Sequence, residues 1–250
     1  MSRETRVLQT VILAAGSGTR LAPTRGDVPK PLMTVNGVPL IAHALSHAEK
    51  AGCQEAVVVL GYEAERVRAA IDALNSPIAM RFEYTADFTA PNGLSLLAAE
   101  ASTQQFFYLQ MVDHLFVEPV LGRLAEQPFE DGIAGRVLID SRPSAEIDLE
   151  DATKVCLADA RVTAIGKGLA EWDAVDAGCF VLSHEIFDAL RDVRPPEGLT
   201  VSSGMRRLVE RGRLGSVDIV GAAWIDVDTP VDRERAERML ERTQPSTSRV

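Results

Sequence analysis

Three apolar runs, each stopping abruptly at a glycine or an aspartate, narrow the fold before anything else in the chain does. Val7 to Ala15 (VLQTVILAA) stops at Gly16, Glu55 to Leu60 (EAVVVL) at Gly61, and Phe106 to Val112 (FFYLQMV) at Asp113. Runs with so little polar alternation are the pattern of strands buried on both faces. Between them, Leu40 to Ala51 carries apolar residues at helical spacing. Glu63 to Leu74 does the same, with Val67, Ala70, Ile71 and Leu74 along one side. A short strand at Arg81 to Thr85, a Pro91-Asn92-Gly93 turn and a helix at Leu94 to Ala101 continue the series. Strand–helix alternation implies a parallel sheet covered by helices on both faces through right-handed crossovers. The expected class is α/β, a Rossmann-like three-layer sandwich around a mostly parallel mixed sheet.

Beyond residue 130 the pattern changes. Ile133 to Asp140, Lys154 to Leu157, Val162 to Ile165 and Ala174 to Leu182 read as strands with little helix between them, and Ser141 to Asp151 as a polar loop. This predicts an antiparallel extension of the same sheet. Helices at His184 to Arg191 and Met205 to Arg211, a strand pair at Val217 to Val220 and Trp224 to Val227, and a helix from Val231 to Glu241 complete the reading.

Composition sets the outer limits. The 250 residues hold 26 Lys+Arg against 36 Asp+Glu, a net charge of −10, which disfavours nucleic acid bound through general phosphate neutralisation. No run approaches the ~18 to 20 apolar residues of a membrane span. The first ten residues lack the layout of a signal peptide, and Cys53, Cys156 and Cys179 form neither a disulfide framework nor a CxxC pair. A cytoplasmic protein is expected.

The chemistry concentrates after the first strand, in Leu13-Ala14-Ala15-Gly16-Ser17-Gly18-Thr19-Arg20, followed by Pro29-Lys30-Pro31-Leu32. Ligands of open α/β sheets bind beyond the carboxyl ends of the strands. Glycines there let backbone N–H groups approach phosphate oxygens, Arg20 can fork onto phosphate, and Lys30 adds a point charge. Gly16 to Pro31 carries Arg20, Arg25 and Lys30 against Asp27, a local positive balance in an acidic chain. The dinucleotide fingerprint is disfavoured by Leu21 where a third glycine is needed, and a P-loop by the lack of Gly-Lys-Ser/Thr.

This signature resembles that of the sugar-phosphate nucleotidyltransferases, and within them the chain is most similar to the inositol-1-phosphate cytidylyltransferases. Asn92-Gly93-Leu94-Ser95-Leu96, Met111-Val112-Asp113-His114, Ala152-Thr153-Lys154-Val155, Ile165-Gly166-Lys167 and Asp176-Ala177-Gly178-Cys179-Phe180 carry the second likeness. The resemblance implies one nucleotidyltransferase domain over 1–242, with its nucleotide-binding part at 7–130, its acceptor-binding part at 131–230 and a flexible tail at 243–250. Many relatives of that kind have a fused membrane domain, so a stand-alone enzyme is the expectation here.

The resemblance further implies Arg20 and Lys30 as catalytic residues. Leu13, Ala14, Ala15, Gly16, Ser17, Gly18, Thr19, Asn92, Gly93 and Ser95 would contact the nucleotide. Lys154, Lys167, Asp176 and Gly178 would contact the acceptor. Asp113, at a strand end, suits a hard cation such as Mg²⁺. By the same likeness Asp228 is its expected partner, with Asp226 the alternative, since either one or both could face the site depending on where the strand ends; Asp228 could also cap the following helix. His43 and His47 lack the glutamate of a zinc helix and read as a solvated or core-edge pair, His114 as a neighbour of the metal ligand, and Trp172 and Trp224 as packing residues.

The reaction implied is transfer of a nucleoside monophosphate from a nucleoside triphosphate, CTP favoured, to an inositol-like or sugar 1-phosphate, releasing pyrophosphate. Guanylyl transfer to a related cyclitol or valienol-type 1-phosphate is the alternative. A non-catalytic nucleotide sensor would be marked by loss of Arg20, Lys30 or Asp113, all of which are present. An oxidoreductase is disfavoured by Leu21. Oligomeric state is not legible, and a homodimer is compatible with the sequence.

Overall fold

A computed structural model describes residues 6–18, 28–127, 129 and 132–242. Thr19, Arg20, Arg25, Asp27 and the expected tail at 243–250 lie outside the described residues.

The three apolar runs form the parallel centre of a mixed sheet. β1 (Gln9–Leu13) lies between β4 (Glu55–Leu60) and β6 (Phe106–Met111), parallel to both, and β5 (Ala79–Tyr84) adds outside β4. With β8 (Gly135–Asp140), β9 (Lys154–Ala158), β10 (Arg161–Gly166), β11 (Ala174–Ser183) and β12 (Leu214–Asp218), the described sheet has nine strands in the order β5-β4-β1-β6-β11-β8-β12-β10-β9. Successive residues of β1 and β4 serve opposite faces. Val11, Leu13, Val57 and Val59 pack in one core, and Ile12, Ala56, Val58 and Leu60 in the other. The first core is roofed by α3 (Gly93–Ala98), α4 (Glu185–Arg191) and α5 (Val201–Glu210). The second is roofed by α1 (Leu40–Lys50), α2 (Ala64–Asp72) and α6 (Pro230–Glu241). The expected three layers are present, and no helix among the described residues is long and apolar enough to cross a membrane.

One polar chain runs through the second core. His47 Nε2 accepts the Leu121 N–H at 3.2 Å, so its Nδ1 carries the proton and donates to Gln110 Oε1 at 3.1 Å. Gln110 Nε2 in turn donates to Thr10 Oγ1 at 3.0 Å. Burial, outweighing the Gln110 contact, pushes the His47 pKa down to about 4. His47 is therefore a neutral core residue.

β11 (Ala174–Ser183) carries the sheet from its parallel half into the extension, antiparallel to β6, to β8 (Gly135–Asp140) and to β9 (Lys154–Ala158). β10 (Arg161–Gly166) pairs antiparallel with β9. The extension departs from the sequence reading at β12 (Leu214–Asp218), which runs parallel to β8. Nor are the last two strands a pair. β13 (Trp224–Asp226) joins β7 (His114–Phe116), a three-residue strand too short to leave a periodic signal. A second small ladder, β2 (Thr34–Val35) with β3 (Val38–Pro39), turns through Asn36 and Gly37, both at positive φ. Helix α5 begins four residues ahead of the predicted start because Thr200 caps it, its hydroxyl accepting from Ser203 N–H.

Candidate functional site

Two cavities adjoin at the carboxyl ends of β1 and β6. The larger, about 530 Å³, is lined by Leu13, Ala15, Gly16, Ser17 and Gly18 on one side and Asn92 and Ser95 on another, with Lys30, Asp113 and Asp228 at its floor. The smaller, about 260 Å³, is lined by Lys167, Asp176, Gly178, His114 and Asp226, and it shares Asn92, Met111, Asp113 and Asp228 with the first.

Where they meet, the Lys30 ammonium lies 2.5 Å from Asp113 Oδ2 and 2.5 Å from Asp228 Oδ1. Several local features create this junction. Pro29, capping a one-turn helix over Lys30–Leu32, and Pro31 within it flank Lys30 and restrict its backbone. Gly18, at φ +63, packs on the lysine stem, and a Cβ there would lie 2.7 Å from Lys30 Cβ. The requirement for glycine at 18 is thus contact with Lys30, whereas a Cβ on Gly16 would meet nothing within 4 Å. Pairing of β7 with β13 places Asp226 opposite His114, and Val227 N–H donates to the Asp113 carbonyl at 3.0 Å. Thr229, not Asp228, caps α6 in a capping box with Asp232, which leaves the Asp228 side chain facing Lys30.

The charges reinforce one another. Burial works against the Lys30 ammonium, but Asp113 and Asp228 outweigh it and hold its pKa above the ordinary lysine value. Burial likewise opposes the Asp113 carboxylate, and Lys30 and His114 reverse this, holding its pKa far below the usual carboxylate range. Asp226, facing the second cavity, is shifted upward by burial and by its neighbours Asp113 and Asp228, against His114. Asp176, on the same cavity, is raised to about 6 by burial, with the Gly178 N–H and His114 opposing.

A bulge in β11 directs Asp176 and Gly178 into the cavity. Register shifts between Asp176, opposite Ile139, and Phe180, opposite Val137, so the strand carries two extra residues there. Gly178 takes φ +71 and donates its N–H to Asp176 Oδ1 at 2.8 Å. Across the cavity, Lys167 pairs with Asp151. Lys154 does not line either cavity, and its Nζ donates to the Lys167 carbonyl at 3.1 Å.

Two of the expected nucleotide contacts also fall outside the cavities. Ala14 is in the core, and Gly93 packs on the Leu199 carbonyl, 2.6 Å from where a Cβ would stand. Asn92 lines both cavities while its Oδ1 accepts from Val201 N–H at the start of α5. Sequence reasoning missed Phe88 and Thr89, which line the larger cavity on a loop with no periodic signal. It also gave Trp224 only a packing role, although the ring lines the smaller cavity.

A model of the MobA-like NTP transferase domain matches residues 10–142, more than half of the chain. The chain belongs to this family. Among curated relatives of this chain are two proteins described as bifunctional IPC transferase and DIPP synthase. The one from Archaeoglobus fulgidus is 34% identical over 237 residues, 94% of this chain and 44% of the relative. The one from Rubrobacter xylanophilus is 34% identical over 231 residues, 92% of this chain and 51% of the relative. The chain therefore spans about half the length of these relatives. The UTP–glucose-1-phosphate uridylyltransferase AglF of Haloferax volcanii is 27% identical over 244 residues, covering 94% of this chain and 97% of that protein. In fold, the chain matches the inositol-1-phosphate CTP transferase from T. maritima with a TM-score of 0.85 at 22% identity, covering 95% and 96% of the two chains.

Proposed function

We propose that the protein transfers a nucleoside monophosphate from a nucleoside triphosphate to the phosphate of a cyclitol or sugar 1-phosphate, with CTP and inositol 1-phosphate the favoured pair. The observation that carries this reading is the pair of cavities meeting at Asp113 and Asp228 with Lys30 between them. Two polyanions bound side by side would bring their phosphates together at that junction. The printed names of the bifunctional relatives and of the T. maritima structure favour a cytidylyl and inositol phosphate pairing.

In the larger cavity the triphosphate would lie along the Ala15 to Gly18 backbone; Arg20, outside the described residues, keeps the phosphate-binding role that its sequence motif suggests. The acceptor's phosphate monoester has a second pKa of ≈6, so its oxygen is anionic at neutral pH and needs no general base. That oxygen attacks the α-phosphorus, the bond from the α-phosphorus to the bridging oxygen of pyrophosphate breaks, and pyrophosphate leaves. Lys30, kept charged by its two carboxylates, stabilises the charge that develops in the transition state. Lys167 holds the acceptor phosphate, with its backbone pinned by Lys154. Asp176 accepts from polyol hydroxyls, and Gly178 leaves room for the ring.

The donor set also fits Mg²⁺. Asp113 and Asp228 each turn one oxygen to the Lys30 ammonium, so a divalent cation would share these two carboxylates with Lys30 and stand beside the ammonium, not at the point it occupies. Two carboxylates completed by substrate phosphates is the usual arrangement for this cation, with Asp226 in reserve. When bound, Mg²⁺ would neutralise phosphate charge at the junction. A cytoplasmic setting accords with three free cysteines. No nucleic-acid or membrane partner is invoked, and a homodimer is compatible with the reading.

The test is a matrix of CTP, GTP, UTP and ATP against inositol, cyclitol and sugar 1-phosphates, with pyrophosphate release as readout. The highest kcat/KM is expected for CTP with inositol 1-phosphate. Preference for GTP with a valienol-type phosphate would replace the substrate pair, and no release from any pair would overturn the reading in favour of a nucleotide sensor.

A further inference from the structure

His114 lines the smaller cavity and touches the floor of the larger one. Its Nδ1 lies 2.8 Å from Asp113 Oδ1, and against a carboxylate that nitrogen must carry the proton and donate. The other oxygen of the same carboxylate, Oδ2, is the one that faces Lys30. The imidazole has no freedom to turn. Trp224 stacks on it with centroids 5.8 Å apart and planes 10° apart, and the Trp224 Nε1–H is itself anchored on Asp140 Oδ2 at 3.0 Å. Gly178 closes in so tightly that a Cβ there would lie 2.2 Å from a ring carbon. The bulge in β11 and the positive φ at 178 are what allow this approach.

We propose that His114 is a positioning residue for Asp113, clamped between Gly178 and Trp224 so that its Nδ1–H locks one carboxylate oxygen and turns the other toward Lys30 and the phosphates. This rests on the reading of Asp113 as the carboxylate at the phosphate junction. A carboxylate held by one hydrogen bond and one ion pair has a single orientation, whereas one that has lost the hydrogen bond can rotate about its terminal torsion, which has a broad profile. Partners that orient a metal-binding or catalytic carboxylate typically change affinity or activity by roughly 10- to 100-fold when removed. The inference also gives Gly178 a second reason to be glycine, independent of room for an acceptor.

Two variants separate hydrogen bonding from packing. His114→Asn keeps an N–H near the Nδ1 position and loses the stacked ring, while His114→Phe keeps a stacked ring and loses the donor. For His114→Phe we expect kcat to fall roughly 10- to 100-fold. The acceptor KM should change little, and affinity for Mn²⁺ alone, titrated by electron paramagnetic resonance, should weaken in parallel. His114→Asn should recover most of both. If the phenylalanine variant does not fold, His114→Leu carries the same comparison. Wild-type kcat and Mn²⁺ affinity in the donor-less variant, or an asparagine variant as impaired as it, would overturn the proposal. A wild-type protein that transfers no nucleotide would instead overturn the proposed function.

Discussion

Asp176 is held in an environment that suits a ligand better than it suits the folded chain, and Asp176→Asn measures the difference. The side chain is half-buried on the smaller cavity, and burial raises its pKa from 3.8 to about 6. An unfolded chain releases this proton near pH 3.8, while the folded protein keeps it until about pH 6. The folded state therefore binds more protons in that window, and stability declines as pH rises through it and stays reduced above. At about 1.4 kcal/mol per pH unit the full effect is about 3 kcal/mol, and water in the open cavity reduces the expected gain to about 2 kcal/mol. An amide at this position keeps an oxygen to accept the Gly178 N–H and removes the buried charge. Urea unfolding in metal-free buffer should show the variant more stable than wild type at pH 8, with the difference vanishing near pH 4. Its acceptor KM should rise about tenfold or more, because hydroxyl hydrogen bonds to a charged acceptor are lost. A variant less stable at pH 8, or a stability difference that does not change with pH, would refute the reasoning.

Further outcomes follow from the same geometry. Lys30→Ala and Asp113→Ala each break the junction and should cut turnover on the order of 100- to 1000-fold in a pyrophosphate-release assay. Lys30→Ala should also lower the melting temperature by leaving two carboxylates face to face, and normal turnover in either variant would remove the residue from catalysis. Lys167→Ala should raise the acceptor KM with kcat little changed, and Lys154→Ala should do so more weakly because its ammonium reaches only the Lys167 carbonyl; equal effects would contradict that ordering. His47, neutral in the core with its pKa pushed down to about 4, should cost stability as pH falls from 6.5 toward 4, since the unfolded chain takes up a proton there that the folded one refuses. The stability gap between wild type and His47→Gln should therefore shrink by about 3 kcal/mol across that window, and a constant gap would show that His47 is protonated in the fold.

Much of the framework was legible in the chain itself. The strand at Glu55–Leu60 and the helix from Leu40 agree with the sequence reading, and all three apolar runs became the parallel centre, because burial on both faces leaves an unmistakable continuous pattern. The Gly16 to Gly18 loop, Lys30 and Asp113 could be placed beyond the strand ends by local signals, whereas Lys167 came from the family likeness; all of them line the cavities.

What the tertiary structure decided was which of these residues meet. Lys30 bonds to carboxylates 83 and 198 positions away, a convergence that periodicity cannot encode because it depends on sheet order and on how strand ends are aimed. That Asp228 and not Asp226 meets Lys30 rests on a three-residue ladder with β7 and on Thr229 taking the helix cap, and the aim of Asp176 and Gly178 rests on two extra residues in β11. The sequence determined the layers and the end of the sheet where chemistry sits, through burial patterns that act locally. Packing between distant strand ends determined the site, because only there do side chains from separate parts of the chain share one charge.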